Sequence, residues 1–390
     1  MASPSSDLPL SGLRVLDFAQ FLAGPAAALR LADLGAEVIK IERRQGGDAC
    51  RGLAINDQML EGDSLLFHTF NRNKKSITAD LKSPEDLDRI KALIKTADVM
   101  IQNLRPGVME RIGLGYDDVS KLNPKLVYGS VSGYGSTGPW ANKPGQDLLA
   151  QALSGMCYLQ GNASDGPVPT GFALLDITTG MNLVQGILAA LLRRSVTGKG
   201  GLVEVELLTS AIDLQFEQLT AFFNDNNRLP QRSQIANANV YGAAPYGIFE
   251  TQQGYLALAM TPLSRLAELL DAPEIAAFDQ ARAFEQRDAI KSILATILTQ
   301  KTVQEWLAIL EPADIWCAEV LTWQQLAQSD GFKALEPLQT VTTANGKTAV
   351  TTRCPIRLDS QILTSPIGAP ALGADTSEVL AALAAQPQPA

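Results

Sequence analysis

Short apolar runs and one longer amphipathic segment alternate along the first part of the chain. Residues 13–18 predict a β-strand, residues 24–35 a helix with proline near its start and glycine after its end, and residues 37–42 a second strand. This β-α-β beginning predicts a parallel sheet of the doubly wound type. The first loop, residues 19–24, lacks the spacing GxGxxG, which disfavours a dinucleotide-dependent dehydrogenase.

The same alternation of strand and helix continues for about the first 210 residues. Ser83-Pro-Glu-Asp86 resembles a capping box with proline at the first helical position, so a helix is expected to run from there to about Thr96. The further predicted elements are strands at 98–101, 126–132 and 202–207 and a helix at 146–153. Together these elements predict a large, Rossmann-like α/β domain.

The chain changes character near Asn224, where a polar segment rich in Asn and Gln begins. We interpret residues 224–240 as a linker between the large domain, residues 1–223, and a smaller α+β domain, residues 241–330. A β-hairpin turning at Gln253-Gly254 and several amphipathic helices are predicted in the smaller domain. Residues 331–390 are expected to return to the large domain.

Asp176 precedes a segment, residues 181–192, that is apolar nearly all round. Such a segment is typical of a helix buried inside a large domain. Asp is a preferred N-cap residue, and its charge suits the positive end of a helix, so capping is one interpretation. A carboxylate can also act as a covalent nucleophile, and a helix N-terminus would help to keep it ionised. Position alone leaves both roles open.

The net charge is −9 and the pI is near 4.9, which disfavours nucleic acid or an anionic membrane surface as a partner. Any anion site must therefore be local and built from a few Lys and Arg side chains. The four cysteines lack CxxC spacing, so reduced thiols in a cytoplasmic protein are expected. The start, residues 1–10, does not resemble a signal peptide, and no membrane-spanning stretch is expected.

His68 is the single histidine of the chain. Catalytic systems that need an imidazole would have to use it, but its apolar surroundings favour a structural role. Acid, base or nucleophilic chemistry is therefore expected to fall to carboxylates.

Nine sequence blocks in one order resemble the class III CoA-transferases, the family of formyl-CoA transferase, carnitine CoA-transferase and the α-methylacyl-CoA racemases. The resemblance covers nearly the whole chain, and it implies a large Rossmann-like domain, a smaller domain and an interlocked homodimer. The blocks lie at residues 13–18, 23–25, 34–43, 71–76, 97–107, 132–135, 148–155, 197–200 and 244–246.

The resemblance implies that Asp176 is the nucleophile that attacks an acyl-CoA thioester. An aspartyl anhydride and then an aspartyl-CoA thioester would follow, and an incoming carboxylate would take over the CoA. This chemistry implies no metal, no ATP and no tightly bound cofactor, with CoA and acyl-CoA as substrates. Succinyl-CoA as donor and a small dicarboxylic acid as acceptor are the expected pair.

The resemblance also implies a set of CoA contacts, which are basic side chains that follow predicted strands together with one leucine. For each basic residue alone, a solvated surface charge is the alternative, whereas the set together favours phosphate binding. The implied residues are Arg43, Lys74, Lys75, Leu104, Arg105 and Arg111. The motif Gly133-Tyr134-Gly135 would allow the backbone close to the pantetheine or acyl group, and an ordinary glycine turn is the alternative.

Two features depart from the resembled proteins. The pair that reads His-Asp in the racemase branch is Gln146-Asp147 here, and Gln cannot exchange a proton, so racemisation is disfavoured. For Asp147, substrate positioning and an ordinary helix-start acid both stay open. The segment before Tyr241 lacks the glycine-rich run of formyl-CoA transferase, which disfavours oxalate or formate as substrate. A racemase or epimerase, and a CoA-binding protein without turnover, are the alternative functions.

Overall fold

The computed structural model describes residues 7–385, and its largest sheet is parallel throughout and has six strands. The order across this sheet is β3-β2-β1-β4-β5-β6, as in Rossmann-type folds, with the strand order reversing between β1 and β4. The strands are β1 (Arg14–Asp17), β2 (Glu37–Glu42), β3 (Lys75–Thr78), β4 (Val99–Gln102), β5 (Val127–Ser132) and β6 (Gly201–Glu206). The predicted doubly wound sheet is therefore confirmed.

Helices follow most of these strands and make up much of the remaining chain. In chain order they are α1 (Ala23–Asp33), α2 (Leu65–Asn71), α3 (Pro84–Ile94), α4 (Val108–Arg111), α5 (Tyr116–Leu122), α6 (Asp147–Ser154), α7 (Leu174–Thr197), α8 (Leu207–Leu214), α9 (Phe216–Asn224), α10 (Leu263–Leu270), α11 (Pro273–Ala276), α12 (Arg287–Leu298), α13 (Val303–Leu310), α14 (Trp323–Gln328), α15 (Asp330–Leu335) and α16 (Thr376–Ala384).

Two hydrophobic clusters cover the two faces of the parallel sheet. On one face α1 and α7 pack on the strands, through side chains such as Leu31, Leu183, Ile187, Val15 and Val127. On the other face α3, α5 and α16 pack, through Ile90, Leu93, Val119, Val379, Leu16 and Met100. Helices cover both faces, and the strands β1, β2, β4, β5 and β6 were located by their apolar and β-branched residues. The short strand β3 was not predicted.

Helix α7 is long and apolar enough to cross a membrane by length and composition. The sequence prediction that no stretch qualifies did not anticipate this helix, because the helix begins at Leu174 and its 24 residues extend beyond the apolar segment 181–192 at both ends. In the structure α7 is a core helix of the larger unit. A Cβ at Gly186 would lie 2.5 Å from Val203, so the helix backbone packs directly on β6. Of the segment examined for a signal peptide, residues 1–6 lie outside the described residues.

The contacts divide the described chain into two compact units. The larger unit contains residues 7–150, 173–210 and 336–385, and the smaller unit contains residues 151–172 and 211–335. These boundaries correct the predicted ones, which assigned residues 1–223 to one domain. Residues 151–172 and 211–223 belong with the smaller unit, and the return to the larger unit begins at residue 336 rather than 331.

The smaller unit has an antiparallel sheet in the order β9-β8-β7, formed by β7 (Gly247–Glu250), β8 (Tyr255–Leu258) and β9 (Cys317–Glu319). The predicted hairpin is confirmed, and Gly254 in its turn has a φ of 84°. The core of the smaller unit contains Trp306 and apolar side chains of α10, α12 and α13.

The polar segment 224–240 is anchored within the smaller unit rather than being a bare linker. The buried ammonium group of Lys291 donates hydrogen bonds to Ser233 Oγ and to the carbonyl oxygen of Ala236, both at 3.0 Å. Asn237 donates to the carbonyl oxygens of Leu159 and Gly161. The side chains of Asn237 and Asn239 therefore make internal hydrogen bonds, which the sequence did not distinguish from solvation.

The C-terminal part of the larger unit contains the two strands expected there. Residues Leu338–Thr342 and Thr348–Thr352 form an antiparallel pair, followed by α16. The shorter antiparallel pairs are Met59–Leu60 with Asp63–Ser64 and Arg357–Leu358 with Gln361–Ile362.

Candidate active site

Asp176 lies in the first turn of α7, at the third helical position, and Ala173 occupies the N-cap. The carboxylate that caps this helix belongs to Asp147, the first residue of α6. Asp147 Oδ2 accepts hydrogen bonds from the backbone N–H groups of Leu175 at 2.7 Å and Asp176 at 3.0 Å. The interpretation of Asp176 as the N-cap was therefore wrong. Asp147, 29 positions earlier in the chain, caps the helix, so the Asp176 carboxyl group has no capping role.

The Asp176 carboxyl group is half-buried and, within residues 7–385, accepts no hydrogen bond and forms no ion pair. Burial raises the pKa of Asp176 to about 7, and the nearby negative charge of Asp147 adds to the rise. The expected effect of the helix N-terminus, which favours the ionised form, is therefore outweighed. A carboxyl group with this pKa exchanges between its acid and its nucleophilic form near neutral pH.

Close helix packing fixes where Asp176 lies. A Cβ at Gly180, one turn further along α7, would be 2.8 Å from the carbonyl oxygen of Ala23. Residues four apart share one face of a helix, so Asp176 and Gly180 lie on the face that meets the start of α1. Both α1 and α7 begin at the carboxyl edge of the parallel sheet, where ligands bind in folds of this type.

A cavity of about 680 Å³ opens at the same edge, beside the point where the strand order reverses. This volume is in the range typical of small-molecule and cofactor sites. Its lining comes from the segments that follow β1, β2, β3 and β4, and includes Gln20, Arg43, Arg44, Asp80, Lys82 and Leu104. The larger unit therefore holds a pocket with several cationic side chains, in a chain that is acidic as a whole.

Two of the predicted CoA contacts, Arg43 and Leu104, line this cavity together. The guanidinium group of Arg43 donates to the carbonyl oxygen of Gly47 through Nε at 3.1 Å and Nη2 at 3.0 Å. The neighbouring Arg44 makes a bidentate pair with Asp86. Arg43 is thus held in the loop after β2 by a neutral carbonyl group, which leaves its charge uncompensated there.

Arg105 and Arg111 lie next to the cavity rather than in its lining. Arg105 lines a smaller pocket of about 70 Å³ at the ends of β4, β5 and β6, together with Leu104 and Glu206. Arg111 is exposed at the end of α4, and its Nη1 lies close to Gly107. Both positions can be reached only by a ligand that extends beyond the main cavity.

Lys74 and Lys75 do not join this site. The Lys74 ammonium group is buried and donates to Asp17, to the carbonyl oxygen of Pro25 and to Asn71, at 2.8 to 3.0 Å. Lys75 begins β3, at the amino edge of the sheet, and forms ion pairs with Glu37 and Glu378. We therefore do not retain either lysine as a phosphate contact, because local protein acceptors occupy both ammonium groups.

The motif Gly133-Tyr134-Gly135 is placed against the segment that leads into α6. A Cβ at Gly133 would be 2.6 Å from the Cα atom of Gly145, and Tyr134 donates to the carbonyl oxygen of Pro144. Gly135 has a φ of 86° and open space around it, as in an ordinary glycine turn. The glycines thus allow two chain segments to approach each other, and this contact holds the residues just before Asp147 in place.

His68 is buried in α2, with Nε2 3.0 Å from the carbonyl oxygen of Leu60 and its ring edge-on to Phe67. It does not line the main cavity, so the structural interpretation of this histidine agrees with its placement. Asn103 and Lys40, which shape the turn after β1, were missed by sequence reasoning. Their partners are the backbone groups of Gln20 and Ala19, and no local pattern signals such pairings.

A family model for CoA-transferase family III matches residues 10–376. The chain belongs to CoA-transferase family III. It is 34% identical over 80% of its length to succinyl-CoA:glutarate CoA-transferase of Mus musculus, covering 73% of that protein. It is 36% identical over 77% of its length to succinate--glutarate CoA-transferase of Agrobacterium fabrum, covering 76% of that protein.

A solved CAIB/BAIF family protein from Brucella suis matches with a TM-score of 0.84 and 31% identity, covering 96% of this chain and 99% of that one. The family, the fold class and the enzyme class predicted from sequence are thereby confirmed. This family III enzyme transfers CoA, and the site described above lies where its Rossmann-type sheet predicts a ligand.

Proposed function

We propose that this family III enzyme moves CoA from succinyl-CoA to a small dicarboxylic acid, with Asp176 as the covalent nucleophile. Support for the substrates comes from relatives named for succinyl-CoA and glutarate, and from another named for succinyl-CoA and malate. The observation that carries the proposal is the Asp176 carboxyl group itself. It is half-buried, unpaired among the described residues and adjacent to an anionic cap.

The proposed reaction exchanges one acyl bond for another at every step. The Asp176 carboxylate attacks the thioester carbon and expels the CoA thiolate, which gives a mixed anhydride. The thiolate then attacks the aspartyl carbonyl carbon, releasing the donor acid and leaving an aspartyl-CoA thioester. The acceptor carboxylate repeats both steps in reverse, so that Asp176 is regenerated. No net proton is gained or lost, and CoA acts as a substrate.

The CoA nucleotide is proposed to occupy the 680 Å³ cavity at the sheet edge. Arg43 is positioned to pair with a phosphate group, and Lys82 and Leu104 line the same cavity. Arg105 and Arg111 then lie beyond it, within reach of the far end of a long ligand. Because Gln20 lines this cavity and Ala23 packs on α7, the pantetheine arm is proposed to pass the turn after β1 to reach Asp176.

Racemisation finds less support in the site. Gln146 is exposed and has no titratable group, and Asp147 is engaged in capping α7. A pair of groups that removes and returns a proton at Cα is therefore not assembled from these two residues. A CoA-binding protein without turnover is disfavoured because Asp176 is not needed as a cap.

The homodimer and the cytoplasmic location stay predictions. In the smaller unit α9 has no buried residue, and Phe216 and Phe223 are 69% and 67% exposed. Exposed aromatic side chains on one helix are typical of an interaction surface, which supports the proposed pairing with a second copy of the chain.

Trapping of the aspartyl intermediate tests the proposed function. The protein would be incubated with succinyl-CoA and then treated with hydroxylamine, and peptides would be analysed by mass spectrometry. We expect a hydroxamate at Asp176 and none in Asp176→Asn, which should also lose transfer to glutarate. Asp117→Asn is the matched control, because Asp117 is an exposed acid in the first turn of α5. Transfer activity that survives Asp176→Asn would contradict the proposal.

A further inference from the structure

The turn between β1 and α1 is held by side chains rather than by backbone pairing. Five main-chain polar groups in residues 19–21 bond to side chains from β1, β2, the loop after β2 and the end of β4. The bonds are Ala19 N–H to Asp17 Oδ1 (3.0 Å), Lys40 Nζ to Ala19 O (2.7 Å), Gln20 N–H to Asn103 Oδ1 (2.8 Å), Asn103 Nδ2 to Gln20 O (2.7 Å) and Phe21 N–H to Asp48 Oδ1 (3.1 Å).

A buried ammonium group lies behind this turn. Lys40 is fully buried, and its Nζ is 2.8 Å from Asp48 and 3.8 Å from Asp17. Burial lowers the pKa of Lys40, but the two carboxylates outweigh it, so the pKa is raised and the lysine stays charged. A buried charge network is costly unless every member is paired, so its geometry is tightly specified. The network fixes the turn because Lys40 bonds the carbonyl oxygen of Ala19 and Asp48 bonds the N–H of Phe21.

Phe21 shows that the turn is strained. Its φ is 63°, in the left-handed region that a bulky residue rarely adopts, and its ring is 52% exposed. Such a conformation is unfavourable and persists only where surrounding bonds impose it. The ring gains little burial in exchange, which points to a functional reason for the shape of the turn.

The turn also connects the cavity wall to the helix that carries the nucleophile. Gln20 lines the cavity, and the residue that follows the turn, Ala23, touches α7 at Gly180, one helical turn from Asp176. Any shift of the turn would therefore change both the cavity wall and the packing contact between Ala23 and α7. The distance between a bound thioester and the Asp176 carboxyl group depends on this segment.

We propose that Lys40 and Asn103 are positioning residues for CoA transfer, which fix the turn at residues 19–22 so that a thioester bound in the cavity meets Asp176. This inference rests on the proposed function. Neither side chain needs to touch the reacting atoms. Their role is to keep the reacting groups in register, where a displacement of about 1 Å can cost about 100-fold in rate.

The test compares two asparagines whose side chains both bond backbone groups, one at the turn after β1 and one away from the site. Asn103→Leu removes both bonds to Gln20. Asn123→Leu also removes side-chain bonds to backbone groups, before β5 and outside the site. Asn123 donates to the carbonyl oxygens of Ile94 at 2.9 Å and Ala97 at 2.8 Å, and accepts from the Lys125 N–H at 3.0 Å. Both asparagines are half-buried. We expect kcat of Asn103→Leu to fall about 10- to 100-fold with KM for succinyl-CoA changed less than about 3-fold, and Asn123→Leu to keep kcat.

A second pair of variants, at two lysines, and a second measurement, hydrogen exchange, complete the test. Lys40→Met is compared with Lys291→Met. Lys291 is also a buried lysine, but it lies in the smaller unit and bonds Ser233 Oγ and the carbonyl oxygen of Ala236. Hydrogen exchange at the amides of residues 19–21 should rise in Asn103→Leu and not in Asn123→Leu. Equal kcat values in the two asparagine variants, with wild-type transfer intact, would overturn this inference alone. Wild-type protein without a trapped Asp176 intermediate would instead overturn the proposed function.

Discussion

Replacing Asp147 by Asn tests how the environment sets the reactivity of Asp176. Asn keeps a side-chain carbonyl oxygen for the N–H groups of Leu175 and Asp176, so the cap of α7 is preserved. The negative charge, which raises the pKa of Asp176, is removed. The substitution thus separates the electrostatic effect of Asp147 from its structural one.

The size of the effect follows from the causes of the raised pKa. The pKa of Asp176 rises from 3.8 to about 7, with burial as the larger cause and Asp147 as the smaller one. The charge therefore accounts for less than half of the rise, and we expect the pKa to fall in Asp147→Asn by less than half of the difference between 3.8 and about 7. Because burial is unchanged, the value should stay well above that of an exposed aspartate.

The pH dependence of kcat/KM measures this pKa in the free enzyme. The carboxylate must be ionised to attack, so wild-type kcat/KM should rise with pH through about 7 and then level off. In Asp147→Asn the rise should lie at lower pH, which increases activity at pH 6 relative to the plateau. Asp147→Ala loses the cap as well, and should be less stable by about 1 kcal/mol. If kcat/KM of Asp147→Asn rises at the same pH as the wild type or at a higher pH, the reasoning is refuted.

Three further predictions concern packing, CoA binding and stability. Gly180→Ala should lower kcat and destabilise the protein by about 1–3 kcal/mol in urea denaturation, because the new Cβ would lie 2.8 Å from a backbone carbonyl oxygen; wild-type kinetics would contradict the close packing. Arg43→Ala should raise KM for succinyl-CoA about 10-fold, while Lys75→Ala should leave it unchanged; equal effects would reject the assignment of the cavity. Trp306→Ala should cost about 3–5 kcal/mol in stability, since the ring is buried in the core of the smaller unit.

The sequence predicted the parallel sheet well because its signals are local. Strand β2 was placed at residues 37–42 and is found at Glu37–Glu42, and the predicted helix after Ser83 runs from Pro84 to Ile94. Apolar runs between helices with proline or glycine near their ends are enough to locate such elements. The boundaries of the two units were not predictable in this way, because they depend on which distant segments of the chain pack together.

The site shows the same division between local and long-range signals. Arg43 and Leu104 were implied by the family resemblance, and both line the cavity at the edge of the sheet where the loops after parallel strands meet. Lys74 also lies next to a strand, yet its ammonium group bonds to Asp17, 57 residues away in the chain. The capping of α7 by Asp147 spans 28 residues and has no pattern of its own. Pairings of this kind become visible only in three dimensions.

Oxygen transfer into Asp176 tests the central claim most directly. In the proposed exchange, the acceptor carboxylate attacks the aspartyl-CoA carbon and leaves one of its oxygens on the aspartate when the anhydride is cleaved at the acceptor carbon. With succinyl-CoA and glutarate labelled with ¹⁸O in its carboxylates, peptide mass spectrometry should show ¹⁸O in the peptide that contains Asp176. Turnover to glutaryl-CoA without label at Asp176 would contradict the account.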